Sequence, residues 1–318
     1  MTAFTLKIIA SVCMLADHTG HVFPGLTPDF FRWAGRIAFP VYAYLIALGC
    51  RRTKNISKYL FRLGIFALIS EIPFDMAFMR YYDASNGFNW NINFLRYTNV
   101  FYTLFLGVAC VVVYERLKQK ERARLALLPV IFLPAALLGN FLPESFPVSA
   151  LTVATTVLLF YTAGALCFAF FLPDAETGAV IRFKEKIIAL LAVVPIIITA
   201  GALKSDYDMF GVGLIFLLYL ANPENKIKRA VVMAAGIIYH YAPGVISAHA
   251  RYFDDGTFEI WRELNPAGLL YLLFALISVI LVLFYNGERG SKVKWAFYAF
   301  YPAHIAVLVL VWYIFAGV

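Results

Sequence analysis

Lys7 and His18 are eleven residues apart in an otherwise apolar segment, LKIIASVCMLADHTGHVF at residues 6–23. On a helix that spacing falls within about 20° of three full turns, so both side chains share one stripe, with Ser11 and Met14 between them. Their separation along the axis is roughly 16 Å. A cation at one end and an imidazole deep on the same face would hold a long molecule with an anionic head and a reactive tail. The imidazole changes charge near neutral pH, which suits it to take a proton from an attacking amine or hydroxyl. Taken alone, a lysine snorkelling to a membrane surface and a packed histidine explain the same pair more simply.

Other polar residues stand in similar surroundings. Asp17 and His21 flank His18. Arg36 lies in RWAGRIAFPVYAYLIALG, Glu71 and Asp75 in FALISEIPFD, and Asn99 and Thr103 in NVFYTLFLGV. Asp206, Tyr207 and Asp208 precede another apolar run, and His304 is central in YAFYPAHIAVL. Ionisable groups are costly in a bilayer and normally face a bundle interior or a cavity. Here they come from at least five segments at overlapping depths, which predicts one polar site. Structural roles compete with that reading. Asp17 and His21 share a helix face and can satisfy each other. Arg36 and Glu71 can form a buried pair. Asn99 and Asp206 can cap helices; Asp75 and Asp208 read best as solvated helix ends. His304 can be a satisfied core histidine. Pro40, Pro73 and Pro302 can merely kink helices.

The elements that must position these residues are membrane spans. Of 318 residues, 62% are hydrophobic and 14% charged, against about a quarter charged in a soluble domain, and mean hydropathy is +0.76. Apolar runs near residues 5–23, 30–50, 58–79, 99–115, 124–141, 149–171, 187–203, 207–221, 229–247, 267–284 and 294–316 predict an all-α, polytopic bundle of eleven transmembrane helices. Basic loops alternate with basic-poor ones. Arg51, Arg52, Lys54 and Lys58 follow the second span; Arg116, Lys118, Lys120, Arg122 and Arg124 follow the fourth. Lys226, Lys228 and Arg229 follow the eighth, and Arg289, Lys292 and Lys294 the tenth. Basic loops stay cytoplasmic, which predicts a cytoplasmic N-terminus and an outer C-terminus. No soluble domain or repeat interrupts the pattern, so residues 1–318 read as a single transmembrane domain, with an outer loop at 248–266 that either covers an outward-facing site or lies at the membrane interface.

Several classes are excluded by the same pattern. The net charge of +8 follows membrane topology rather than a patch, which argues against nucleic-acid binding. Cys13, Cys50, Cys110 and Cys167 lie in or beside apolar runs without metal or disulfide spacing and read as inert thiols. No metal site is expected.

The segments LKIIASVCMLADHTGHVF, GRIAFPVYAYLIALGCRRTKNISKYLFRLGIFALISEIPFD, NVFYTLFLGV, SDYDMFGVGLIFLLYL and LFYNGERGSKVKWAFYAFYPAHI resemble, in order and across nearly the whole chain, the TraX family of membrane proteins. That family is named for a conjugative pilin N-acetyltransferase and is similar to acyltransferase family 3, whose first span carries an Arg or Lys, ten residues, then a His. Lys7 and His18 match that spacing. The resemblance implies a multipass acetyltransferase of the bacterial cytoplasmic membrane. It would take acetyl-CoA from the cytoplasm and acylate an amine or hydroxyl of a peptide or glycan acceptor. By the motif, Lys7 meets coenzyme phosphates and His18 is the catalytic histidine. Asp17, Arg36, Glu71, Asn99, Tyr207 and His304 fall on family motif positions. In the mechanism this suggests, Arg51, Arg52 or Lys58 assist Lys7 at the mouth, and the pantetheine arm runs past Ser11 and Met14. Arg36, Asn99 or Tyr207 stabilises the oxyanion, and Asp17 orients His21 or a partner on another span. Direct transfer and a covalent acetyl-histidine both remain open. The competing reading is a proton-coupled transporter, since buried Asp, Glu and His also form proton relays; the lack of an internal repeat argues against it. A third is a membrane scaffold whose polar residues only join helices.

Overall fold

In the computed structural model, residues 1–78, 94, 97–118, 183–252, 258–291 and 293–316 are described. The helices are α1 (Ala3–Val22), α2 (Phe30–Gly35), α3 (Ala38–Arg52), α4 (Ile56–Phe78), α5 (Val100–Leu117), α6 (Phe183–Ala202), α7 (Asp208–Leu220), α8 (Lys226–Tyr241), α9 (Pro266–Leu283) and α10 (Lys294–Ala316). Strands β1 (Ile246–Tyr252) and β2 (Phe258–Leu264) pair antiparallel, with Ile246 opposite Leu264 and Tyr252 opposite Phe258. The described chain is thus mostly helical, with very little sheet.

Short polar side chains start several helices. Thr2 Oγ1 accepts the Thr5 amide at α1, and Asn99 Oδ1 accepts the Phe101 amide at α5. Asn225 and Asn265 cap α8 and α9 in the same way, and Pro266 supplies the first position of α9, where a missing amide costs nothing. Pro40 also falls in a first turn, whereas Pro73, Pro195 and Pro302 lie inside α4, α6 and α10.

Four stretches are long and apolar enough to cross a membrane: Phe30–Arg52, Val100–Leu117, Pro266–Leu283 and Trp295–Phe315. They coincide with four of the expected spans. The expected total of eleven does not follow from the described helices. Lys7 and Asp17 in α1, and Lys58, Arg62, Glu71 and Asp75 in α4, dilute the apolar character of those two. Apolar stretches Ala189–Ala202 and Asp208–Leu220 are shorter, and the expected spans at 124–141 and 149–171 lie outside the described residues. Nor does the helix set establish which side either terminus occupies. Exposed Leu273, Ile277, Ile280 and Phe284 beside α9, and Val307, Leu310 and Ile314 on α10, form apolar surfaces that water would not tolerate and lipid would. The chain is a membrane protein.

One expected span ends early. The run at 229–247 is helical only to Tyr241; Ala242–Val245 form a 3₁₀ turn and β1 starts at Ile246. Pro243 cannot donate to the helix ladder, and that turn is then held from outside. Val245 O accepts the Asn265 amide at 2.8 Å, and Gly244 O accepts Asn265 Nδ2 at 3.0 Å. The expected loop at 248–266 is therefore largely a β-hairpin.

The chain forms two compact units, one of Met1–Leu45 with Leu220–Val318, the other of Ile46–Tyr219. In the first, α1 packs on α2 and α10, and α8 on α9. In the second, α5 packs on α4 and α6. The α1–α2 contact in the first unit is backbone-close. A Cβ built on Gly35 would lie 2.3 Å from both Cβ and Cγ of Asp17, closer than any real contact. Gly35→Ala should therefore destabilise the detergent-purified protein by about 1–3 kcal/mol, the usual range for overpacking. A thermal unfolding midpoint equal to the wild type would show that α2 does not need this approach.

Candidate active site

In the first unit, α1 and α10 bring two imidazoles together. Its Nδ1 places His18 2.7 Å from Nε2 of His304, and the ring planes are 12° from parallel with centroids 4.9 Å apart. Those values fit an edge-to-edge hydrogen bond in a shared plane. Both residues are buried. One turn back along α10, the Phe300 carbonyl is 2.7 Å from His304 Nδ1. A carbonyl can only accept, so His304 carries its proton on Nδ1. With both rings neutral, Nε2 of His304 then accepts, Nδ1 of His18 donates, and the lone pair of His18 resides on Nε2. Around this pair, Phe300 stacks on His304 at 4.6 Å and 15°, while the Tyr301 ring stands edge-on to both imidazoles.

Asp17, next to His18, is held by two arginines. Arg36 donates through Nη2 to both carboxylate oxygens at 2.7 Å, and through Nε to the Arg32 carbonyl at 3.2 Å. Arg32 Nη1 reaches Oδ1 at 2.5 Å and the Asp17 carbonyl at 3.1 Å. Charge-assisted bonds to a carboxylate are the stronger kind, and this fork fixes α1 to the α2 region. Arg32 was not among the expected site residues. It lies four residues before Arg36 and so on the same helix face, a spacing that could have revealed it.

The remaining residues of the α1 stripe lie as follows. Ser11 is buried and its Oγ is 2.7 Å from the Tyr42 hydroxyl. Met14 is half-buried. Lys7 Nζ lies 5.2 Å from the centroid of the Phe297 ring near the start of α10, a cation–π contact.

The second unit holds a separate polar cluster. Glu71 is fully buried, and its Oε2 accepts the Asn99 amide at 3.1 Å as well as Asn99 Nδ2. Asn99 Nδ2 also donates to the Ala67 carbonyl at 2.8 Å. The suggested Arg36–Glu71 pair is thus replaced by two pairs, Arg36 with Asp17 and Glu71 with Asn99. Asp75, expected at a solvated end, is 1% exposed, because the turn of α4 that carries Glu71 inward carries it too. Thr103 Oγ1 donates to the Asp206 carbonyl and lies 3.1 Å from Ser205 Oγ, while the Asp206 amide donates to the Thr98 carbonyl at 2.8 Å. Tyr207 and Asp208 follow with φ of 63° and 49°, left-handed values unusual for such residues. Arg51 lies at the C-terminal end of α7, with Nη2 2.7 Å from the Tyr219 carbonyl and its guanidinium 4.6 Å from the Tyr219 ring. Arg52 and Lys58 are exposed. No group of His, Cys, Asp and Glu suited to a metal occurs among the described residues. Cys13, Cys50 and Cys110 are free thiols.

A helical membrane protein with a buried imidazole pair between α1 and α10 is the class these features define. The sequence matches the family described as TraX protein over residues 3–173 and 166–312, and the chain belongs to that family. It is 25% identical over 314 residues to the probable fimbrial assembly protein FimC, serogroup H1, of Dichelobacter nodosus, with 96% of this chain and 94% of that protein covered. No solved structure matches it.

Removing the negative charge at the fork tests its structural role. Asp17→Asn should destabilise by an amount below the ~3–5 kcal/mol of a fully buried pair, since the two arginines keep some solvent contact. Unchanged thermal stability would mean that Arg32 and Arg36 are satisfied without it.

Proposed function

We propose that this protein is a membrane acetyltransferase that moves an acetyl group from acetyl-CoA to an amine or hydroxyl of an acceptor, with His18 Nε2 as the base. The observation that carries the reading is the Phe300–His304–His18 chain, which favours the tautomer a base requires. The acceptor's N–H or O–H attacks the thioester carbonyl as His18 Nε2 takes its proton. The same nitrogen returns the proton to the departing thiolate, so charge and protons balance. His304 is a positioning residue. Its Nε2 accepts from His18 Nδ1, fixing the ring and easing the positive charge that His18 gains. Lys7, on the same stripe of α1 about three turns away, has the charge to hold phosphate, and Ser11 and Met14 lie along the path between.

The arginine fork leaves Arg36 chiefly to Asp17, which supports a structural role for it near the base. Glu71, Asn99 and Tyr207 belong to the second unit, where the Glu71–Asn99 bonds support a structural role for that pair. The relative's name concerns fimbrial assembly, and it supports a pilin-type peptide over a glycan as acceptor. Eleven spans, a cytoplasmic N-terminus and a place in the bacterial cytoplasmic membrane complete the reading. Alternation of the basic loops supports that topology.

His18→Ala should lower acetyl transfer by about 100-fold or more, the scale of general-base catalysis. Near-wild-type transfer would remove His18 from the role. His304→Phe keeps an aromatic ring without the acceptor nitrogen. It should reduce kcat by about tenfold to a hundredfold, leave the KM for acetyl-CoA unchanged and move the acid limb of the pH–rate profile. A shift in KM alone would assign His304 to binding instead.

A further inference from the structure

Residues 286–290, NGERG, turn back after α9 and are strapped to the first turn of α1. The Glu288 carbonyl accepts the Ala3 amide at 2.9 Å and the Arg289 carbonyl accepts the Phe4 amide at 3.1 Å. Gly287 and Gly290 hold φ of 90° and 71°, which L side chains rarely adopt. A Cβ on Gly290 would also lie 2.6 Å from Thr2 Oγ1. The strap brings the backbone of Arg289 to Phe4, three residues before Lys7 and so on nearly the same face of α1. The positive charges of Arg289 and Lys7 act on each other.

Arg229 approaches the same turn from α8. It is 2% exposed, donates to the Val282 carbonyl at 2.8 Å and the Tyr44 hydroxyl at 2.9 Å, and its guanidinium lies near the rings of Tyr44 and Tyr285. Its Nε has no hydrogen-bond partner. Part of its charge answers the carbonyl end of α9. Among the described residues, however, no carboxylate pairs with Lys7, Arg229 or Arg289. Glu288, the acid of the turn, accepts from Asn286 Nδ2 on Oε2 at 2.9 Å. Three cations against the one carboxylate of Glu288 leave the turn a net positive charge, a local field that attracts anions.

We propose that this turn is a phosphate-binding site, with Lys7 and Arg289 gripping the phosphates of the nucleotide end of coenzyme A and Arg229 supplying fixed charge behind them. The proposal rests on the acetyl-CoA reading above and adds the α9–α10 turn to it. A guanidinium meets phosphate oxygens through paired N–H bonds, and the exposed Arg289 side chain can do so without moving the strap, which uses only its backbone.

The test is binding to the full-length protein in detergent, with coenzyme A and with acetyl-pantetheine, which lacks phosphate. Arg289→Ala should raise the Kd for coenzyme A about tenfold, weaken its salt dependence and leave acetyl-pantetheine binding as it was. Arg289→Lys should recover most of the loss. Arg289→Ala with wild-type affinity for coenzyme A would overturn the site while sparing the acetyl-CoA reading. Equal loss of both ligands would overturn the phosphate assignment. A wild-type protein that binds no coenzyme A would remove the underlying reading as well. In that case, Arg289-dependent stabilisation by phosphatidylglycerol nanodiscs would reassign the turn to lipid headgroups.

Discussion

A carbonyl oxygen has no proton to give, and the arrangement of the first unit depends on that fact. Once the Phe300 carbonyl takes the proton of His304 Nδ1, the hydrogen-bond direction along the pair is set for neutral rings. The protein needs no carboxylate beside His18 to achieve it. In a low-dielectric interior this is economical, because a neutral acceptor avoids burying another charge. It also requires that α10 hold His304 within reach of a carbonyl one turn back, and that α1 and α10 pack side by side.

The charged fork serves a different purpose one residue away. Asp17 faces away from His18 along α1, as neighbours on a helix must, and Arg32 and Arg36 draw it toward α2. Gly35 lets the backbone of α2 come close enough for that. The fork thereby fixes the rotation of α1 about its own axis, and that rotation decides where His18 points. Charge in this unit is used to set a helix angle, and neutral polarity to set a proton.

Much of this could be read in advance from residue types and spacing. The Lys7–Ser11–Met14–His18 stripe follows from helical periodicity, the Asn99 cap from its residue type before an apolar run, and the burial of His304 from its place inside one. What periodicity could not supply was partnership between distant segments. Arg36 and Glu71 looked complementary because each lacked a visible partner in sequence; each found a nearer one in its own unit. Asp75 looked like a solvated helix end because it lies near the end of its apolar run, yet the four-residue step from Glu71 carries it to the same inward face. The hairpin at β1–β2 was hidden by an apolar run that continued past Pro243, where hydropathy alone does not register a missing amide. Only four of the described stretches are long and apolar enough to cross a membrane, for a related reason: a helix that carries site residues is less apolar than a plain span.

The two histidines are 286 residues apart in sequence, and the unit they belong to is interrupted by the whole of residues 46–219. A ribosome makes the chain N-terminal end first. His18 is therefore in place long before its partner exists, and the intervening unit is complete before α10 emerges. Throughout that interval the growing chain carries an imidazole with no neighbour to fix its proton. The bond between the two imidazoles arrives late and all at once, when α10 docks beside α1, so a chain cut short by even its final helix would carry His18 without the bond that orients it.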